Sequence, residues 1–344
     1  MARQTVELSI TLANQSQLLA GNRAMKKSPW FLPLLVLLAT PMLSLAQSYP
    51  ARPIRLVLTI SGGGDLTARA LGDRMGPALG APILVEVQSA AGGALGANTV
   101  ARAAPDGYTL LFASTSTMIM RPFLVKEMTY DTNRDFTPIA KVGEAIAAVV
   151  ASTAFPANNF AELVDYARRN PGKVSYSSTG IGTTHHLSGL MIEQMSGINW
   201  VHVPYKTGPQ AVQDLVAGRT PVSIGTVSTF TGMIQAGKAK LIAINSNERF
   251  SETPAVLTIG ESLPGYDRPA GWMAYFGPAG LPQAISRRVE AEIIKAANDP
   301  AIKAKLLAAG IVVETVPGDT FGTTIKRDIS LVAKLVRAAG IQPE

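Results

Sequence analysis

One local pattern occurs twice, once in each half of the chain: a β-type run, a turn of Gly, Ser and Thr, and a helix start. The first copy has Ile54, Arg55, Leu56, Val57, Leu58, Thr59 and Ile60, then Ser61, Gly62, Gly63, Gly64 and Asp65, then Leu71, Met75 and Leu79 at helical spacing. The second has Val174, Ser175, Tyr176 and Ser177, then Ser178, Thr179, Gly180, Ile181, Gly182, Thr183 and Thr184, then Leu187, Leu190, Met191 and Met195 on one helical face. A helix N-terminus leaves backbone N–H groups unpaired and carries partial positive charge. Each turn can therefore hold a carboxylate or phosphate without a cationic side chain. Either copy alone also reads as the ordinary tight turn that joins strand to helix in any α/β fold.

Strand-like and helical runs alternate from Tyr49 to about Gly143, which implies a parallel sheet covered on both faces. The apolar run 146–151 crosses to a second unit holding 174–177, 200–203 and 222–224, and 241–245 is the expected return crossing. After it come the run 272–277, a helix through Val289, Ile293 and Ala296, and a last amphipathic helix over about 321–339. Two crossings mean two lobes on one hinge: residues 47–143 and 250–344 in the first, 144–249 in the second. Ligands of such sheets sit beyond the carboxyl ends of the strands, where both turns lie, so the cleft between the lobes is the expected site.

Several functions are excluded or left without support. The absence of cysteine removes disulfides, thiolate metal sites and a cysteine nucleophile. Met25, Lys26 and Lys27, an apolar stretch over 30–43 and the small residues Ser44 and Ala46 read as a secretion signal cleaved near Ala46, with Met25 the expected initiator. Pro33 and Pro41 interrupt that stretch, which is short of the roughly 20 residues a bilayer span needs. The formal charge of +7 falls to about +4 without residues 1–46, a mild excess that suits anionic solutes. Scattered Lys and Arg with 6% aromatics argue against nucleic acid. Gly232, Gly237 and Lys238 have phosphate-loop spacing, but Ala239 stands where a hydroxyl should hold Mg²⁺, and Gly237 reads better as a helix C-cap. Gly92, Gly93 and Gly96 lack dinucleotide spacing, so no cofactor is expected.

His185 and His186 diverge by about 100° on a helix and have no partner at i+4, so no metal is expected; one of them, His185, can face the cleft. No Gly-x-Ser-x-Gly elbow occurs, so no catalytic residue is assigned. Asp65 reads as a cap of the first helix, leaving Ser61 and the glycine amides to bind. Tyr205 and Lys206 follow a strand and can present a phenol and an ammonium at the cleft rim.

From Tyr49 to about Gly340 the chain resembles the periplasmic solute-binding receptors of tripartite tricarboxylate transporters, the Bug family. The resemblance is carried, in order, by residues 49–55, Gly92 and Gly93 with Gly96 and Ala97, residues 104–111, Tyr130 and Asp131 with Asp135 and Phe136, and residues 171–173. Later come residues 180–187, 201–206, 236–238 and 278–280. It implies a two-lobe periplasmic-binding-protein fold of the type II kind, each lobe a mixed sheet flanked by helices. It also implies a small organic acid bound in the cleft by hinge closure, delivery to a permease of one large and one small subunit, and no catalysis. Carried over by position, the first-lobe turn is Ile60, Ser61, Gly62, Gly63, Gly64 and Asp65, with Ser114, Thr115 and Ser116 as a further cleft loop. The second-lobe turn is Thr179, Gly180, Gly182, Thr183, Thr184 and His185.

The first turn is shorter than the family's by about two residues, and Val87, Gln88, Ser89 and Ala90 replace the usual Asn-Arg-Pro-Gly. Thr226 and Val227, after Gly225, stand where amino-acid-binding members are expected to offer an acid, which leaves di- and tricarboxylates and aromatic acids as expected ligands. One hinge and one cleft need only a monomer. Two other readings stay open: a ligand-dependent partner of a membrane sensor kinase, and an enzyme acting on a carboxylate or phosphate ester.

Overall fold

The computed structural model describes residues 49–60, 63–205, 208–268, 270–338 and 340–343. The expected signal over 25–46, together with Ser61, Gly62 and Lys206, lies outside the described residues. The chain begins with β1 (Ile54–Leu58), α1 (Gly63–Leu79), β2 (Ile83–Val87), α2 (Ala94–Ala101), β3 (Thr109–Ser114) and β4 (Phe136–Ala145). A single residue, Ile146, separates β4 from β5 (Ala147–Ser152), which belongs to a second sheet. Then follow α3 (Phe160–Arg169), β6 (Ser175–Ser178), α4 (Thr184–Ser196), β7 (Val201–Pro204), α5 (Gly208–Val216), β8 (Val222–Thr226), α6 (Val227–Gln235), β9 (Ala239–Asn245) and the short α7 (Ile259–Ser262). The chain rejoins the first sheet with β10 (Trp272–Pro278), α8 (Gln283–Ala297), α9 (Pro300–Ala308), β11 (Ile311–Pro317) and α10 (Gly318–Ala338).

The first sheet has the order β11-β4-β10-β3-β1-β2 and the second β7-β6-β8-β5-β9. In each, a parallel triplet with the earliest strand in the middle is joined to antiparallel strands: β2-β1-β3 beside β10, and β7-β6-β8 beside β5. The alternating strand and helix runs imply a parallel sheet, and that holds only for the triplets. β10 and β5 arrive from the opposite sheet, so they enter from the other end and run antiparallel. Both sheets are therefore mixed, with helices on their faces. The sequence reading contains neither β4 nor β11, because Pro138, Lys141, Gly143 and Glu144 disguise the first and β11 is an edge strand with a broken register.

Each sheet is packed on both faces. Leu56, Leu58, Leu71, Met75, Tyr275 and Val289 fill one side of the first sheet, and Val57, Leu111, Met118, Phe276 and Phe321 the other. In the second sheet Tyr176, Trp200, Ile192 and Ile242 lie on one side and Val150, Leu215, Phe230 and Phe250 on the other. The return to the first sheet comes later than residue 250: Phe250, Ile259, Leu263 and Tyr266 all pack on the second sheet. Leu187 of α4 breaks the division, since it is buried in the core cluster of the first sheet with Met118 and Ile325.

The crossing at Ile146 is tied on both sides. Its N–H donates to the Gly310 carbonyl at 2.8 Å, and its carbonyl accepts from Val227 N–H at 2.8 Å.

Candidate functional site

The carboxyl ends of β1, β3, β6 and β8 face one cavity of about 990 Å³. This is where open α/β sheets place ligands, beyond strand ends at the point where neighbouring strands part. Ile60, Gly63 and Gly64 line it from the start of α1, and Ser114, Thr115 and Ser116 from the end of β3. Thr179, Thr184 and His185 line it from the second turn, with Gly208, Pro209, Val212 and Gln213 from α5 and Thr226, Ser228 and Thr229 from α6. Four helix N-termini thus open on the same space, twice the number the repeated pattern suggests.

The main-chain donors decide what each terminus offers. At α4, Thr183 is the N-cap: its hydroxyl accepts from His186 N–H, and its carbonyl takes Leu187 N–H. Thr184 and His185, the first two residues of the helix, keep N–H groups that no helical carbonyl can reach. At α6, Thr226 makes no side-chain cap and Val227 N–H is spent on Ile146, so Ser228 and Thr229 supply the open donors. At α1 the chain enters through Gly63 and Gly64. A Cβ on Gly64 would lie 2.6 Å from Ile60, so only glycine lets the helix start this close to the end of β1.

Six expected site residues stand apart from the cavity lining. Asp65 is the third residue of α1, not its cap, and its carboxylate pairs with Arg69 at 3.0 Å one turn on, as an acid in a first helical turn favours. Gly180 and Gly182 shape the second turn but have no amide to offer: Gly180 N–H donates to Ser178 Oγ at 3.1 Å and Gly182 N–H to His186 Nδ1 at 3.0 Å. Thr183 is committed as the cap and donates its own hydroxyl to the Gly180 carbonyl. Val227 has its side chain buried in the core and its amide on Ile146. Tyr205 turns its hydroxyl to Asp214 Oδ2 at 2.5 Å and Thr220 Oγ1 at 2.9 Å instead of the cleft rim.

His185 faces the cavity, as the helix geometry suggests, and its Nδ1 lies 2.7 Å from Thr179 Oγ1. Burial pushes its pKa down to about 4, so the ring is neutral at neutral pH and acts as a hydrogen-bonding group, not a charge. Behind it, His186 and His202 stack with ring centres 4.0 Å apart, and His202 Nε2 meets Ser178 Oγ at 2.7 Å. The same histidine pair therefore holds both glycine amides of the turn, one directly and one through Ser178.

Among the described lining residues Arg268 is the one Lys or Arg, and none is Asp or Glu. The sequence reading misses Arg268, Asn245, Gln213, Ser228 and Thr229. Ser228 and Thr229 follow the same strand–turn–helix rule after Val222, Ser223 and Ile224, and that signal was available. Arg268 comes from an irregular segment with no period to read. Asn245 donates one Nδ2 hydrogen to Ser188 and accepts from Tyr266 at Oδ1, which fixes its orientation in the wall. Between the polar groups the wall is apolar, with Ala147, Met273, Ala309 and Ile311.

Residues 67–337 match the sequence model of a family described as "Tripartite tricarboxylate transporter family receptor". The chain is 31% identical over 301 residues to a UPF0065 protein of Bordetella pertussis, covering 87% of this chain and 93% of that protein. It is similar to the structure of R. palustris Rpa4515 with adipate, at a TM-score of 0.77 and 25% identity over 86% of this chain and all of that one. It is also similar to MatC (Rpa3494) of Rhodopseudomonas palustris with bound malate, at a TM-score of 0.71 and 27% identity, covering 84% of this chain and 100% of that one.

Proposed function

Since the chain belongs to the tripartite tricarboxylate transporter receptor family, a family of solute-binding proteins and not of enzymes, we propose that it captures a small organic carboxylate in this cleft and hands it to a membrane permease. The observation that carries the reading is the convergence of open main-chain donors at α4 and α6 on one cavity that the glycine start of α1 also lines. Oriented N–H groups backed by helix dipoles hold anions and cost no reorganisation. The adipate and malate held by two similar proteins are dicarboxylates, in keeping with a di- or tricarboxylate here. Without Asp or Glu among the described lining residues, an amino-acid ammonium finds no counter-charge. The apolar wall suits the carbon skeleton of the acid, an aromatic one included.

Residues 49–145 and 270–343 form one proposed lobe and 146–268 the other. They rotate about Ile146 and the segment after Tyr266, and a ligand that touches both lobes favours closure. Residues 25–46 act as the signal that sends the chain to the periplasm, where the permease can read the closed form.

The test is a thermal-shift screen of the protein from Gln47 onward, refolded to strip carried-over ligand, against dicarboxylates, tricarboxylates, aromatic acids and amino acids. Ligand at 100 times its Kd adds about 2.7 kcal/mol, enough to raise Tm by a few degrees. A shift confined to carboxylic acids is expected, and no shift with any acid overturns the proposal.

A further inference from the structure

Arg268 is a buried cation whose donors its surroundings do not all satisfy. It reaches the buried end of β4, where its guanidinium pairs with Glu144, and Glu144 in turn pairs with Lys141 at 3.1 Å. The side chains of Lys141, Glu144 and Arg268 are only 7%, 10% and 13% exposed, so two cations share one buried carboxylate. Glu314, itself exposed, meets Lys141 at 2.7 Å, so Lys141 has a second carboxylate and Arg268 has Glu144. Asp267, the chain neighbour, is exposed as well. Arg268 Nε is buried without an acceptor, a costly arrangement for a charged donor.

The place of Arg268 is specific. Arg268 and Ile311 line the ligand cleft on one side and a second cavity of about 750 Å³ on the other, so they form the partition at the crossing between the sheets. Every other polar group on the described cleft wall is neutral, a hydroxyl, an amide or the His185 ring. The helix termini stabilise one anionic group through partial charges, whereas Arg268 supplies the single full positive charge.

We propose that Arg268 is a charge anchor for a second carboxylate of the ligand, so that the cleft selects diacids over monoacids of the same length. The proposal rests on the carboxylate-receptor reading above. The ligand's second carboxylate takes up guanidinium donors that Glu144 leaves free. A guanidinium suits it because its planar fork can hold Glu144 with one nitrogen and still present others to a second carboxylate.

The probes are adipate and its monoacid counterpart hexanoate, measured by titration calorimetry on the wild type, Arg268→Gln and the double variant Glu144→Gln/Arg268→Gln. The double variant removes the pair together and leaves Lys141 paired with Glu314 at 2.7 Å, so it guards against the folding defect of an unpaired Glu144 or Arg268. The wild type is expected to favour adipate over hexanoate by about tenfold or more, and both variants to lose that preference through weaker adipate binding. Retention of the preference in Arg268→Gln overturns the anchor. So does wild-type adipate affinity in the double variant, which would make Arg268 only a structural partner of Glu144. If adipate and malate both fail to bind the wild type the anchor is refuted, and failure with every acid of the screen refutes the carboxylate receptor itself.

Discussion

Acid should loosen this protein in a window set by its histidines. The sequence has three, His185, His186 and His202, and burial pushes each to about 4, with His186 adding to the effect at His202. His186 is the informative one. Its Nδ1 accepts Gly182 N–H, so the ring must be neutral with its proton on Nε2, and a proton arriving at Nδ1 would face a donor. A folded pKa of about 4 lies below the unfolded value near 6.5. The unfolded chain therefore binds more protons between these values, and stability present above pH 6.5 is lost as pH falls toward 4. The full gap corresponds to about 3 kcal/mol for a ring wholly removed from water, of which about 2 kcal/mol is gone by pH 5.

Carboxylates with depressed values, such as Glu86 and Glu261 at about 2, lose their contribution below about pH 4.5, beneath the pH 7.5 to 5 interval of the assay. Burial lifts the Glu193 carboxyl, which works in the opposite sense. The assay is urea unfolding at pH 7.5 and pH 5 for the wild type and His186→Asn, whose Oδ1 can replace the Nδ1 acceptor without titrating. Because the His186 ring keeps some access to water, the variant should lose about 1–2 kcal/mol less than the wild type over this interval. Equal losses in the two proteins would refute the assignment of the window to His186. Ligand affinity should fall in the same window, because the turn that His186 holds positions Thr184 and His185.

Three further outcomes are expected. Thr184→Ala removes a hydroxyl from the cavity wall and should weaken acid binding by about 1–2 kcal/mol, near tenfold by calorimetry, whereas unchanged affinity would remove Thr184 from the site. Gly189→Ala puts a Cβ 2.3 Å from the Tyr176 ring, itself packed between Trp200 and His202, and should cost about 1–3 kcal/mol in urea unfolding; an unchanged midpoint would contradict the packing. Leu187→Ala opens a gap in the core where α4 meets the first sheet and should cost about 2–5 kcal/mol, and a loss under 1 kcal/mol would show that the two halves do not share this core.

Much that depends on near neighbours was legible in the amino-acid order alone, although Asp65 read as a helix cap and is not one. Apolar runs marked nine of the eleven strands, and the small-residue turns after β1 and β6 pointed to anion-binding helix starts. The ordered motifs from Tyr49 to Gly340 identified the family. Packing in three dimensions, local and long-range, then settled which of those groups stay free. Gly180 and Gly182 looked like donors, but Ser178 and His186 consume their amides, and behind Ser178 stands His202, 24 residues away. Tyr205 looked free until Asp214 and Thr220 came within reach of its hydroxyl. Arg268 entered the site only because the fold set it against Glu144, 124 residues earlier. Periodicity and capping are properties of a few consecutive residues, whereas an unpaired donor is a property of everything packed around it.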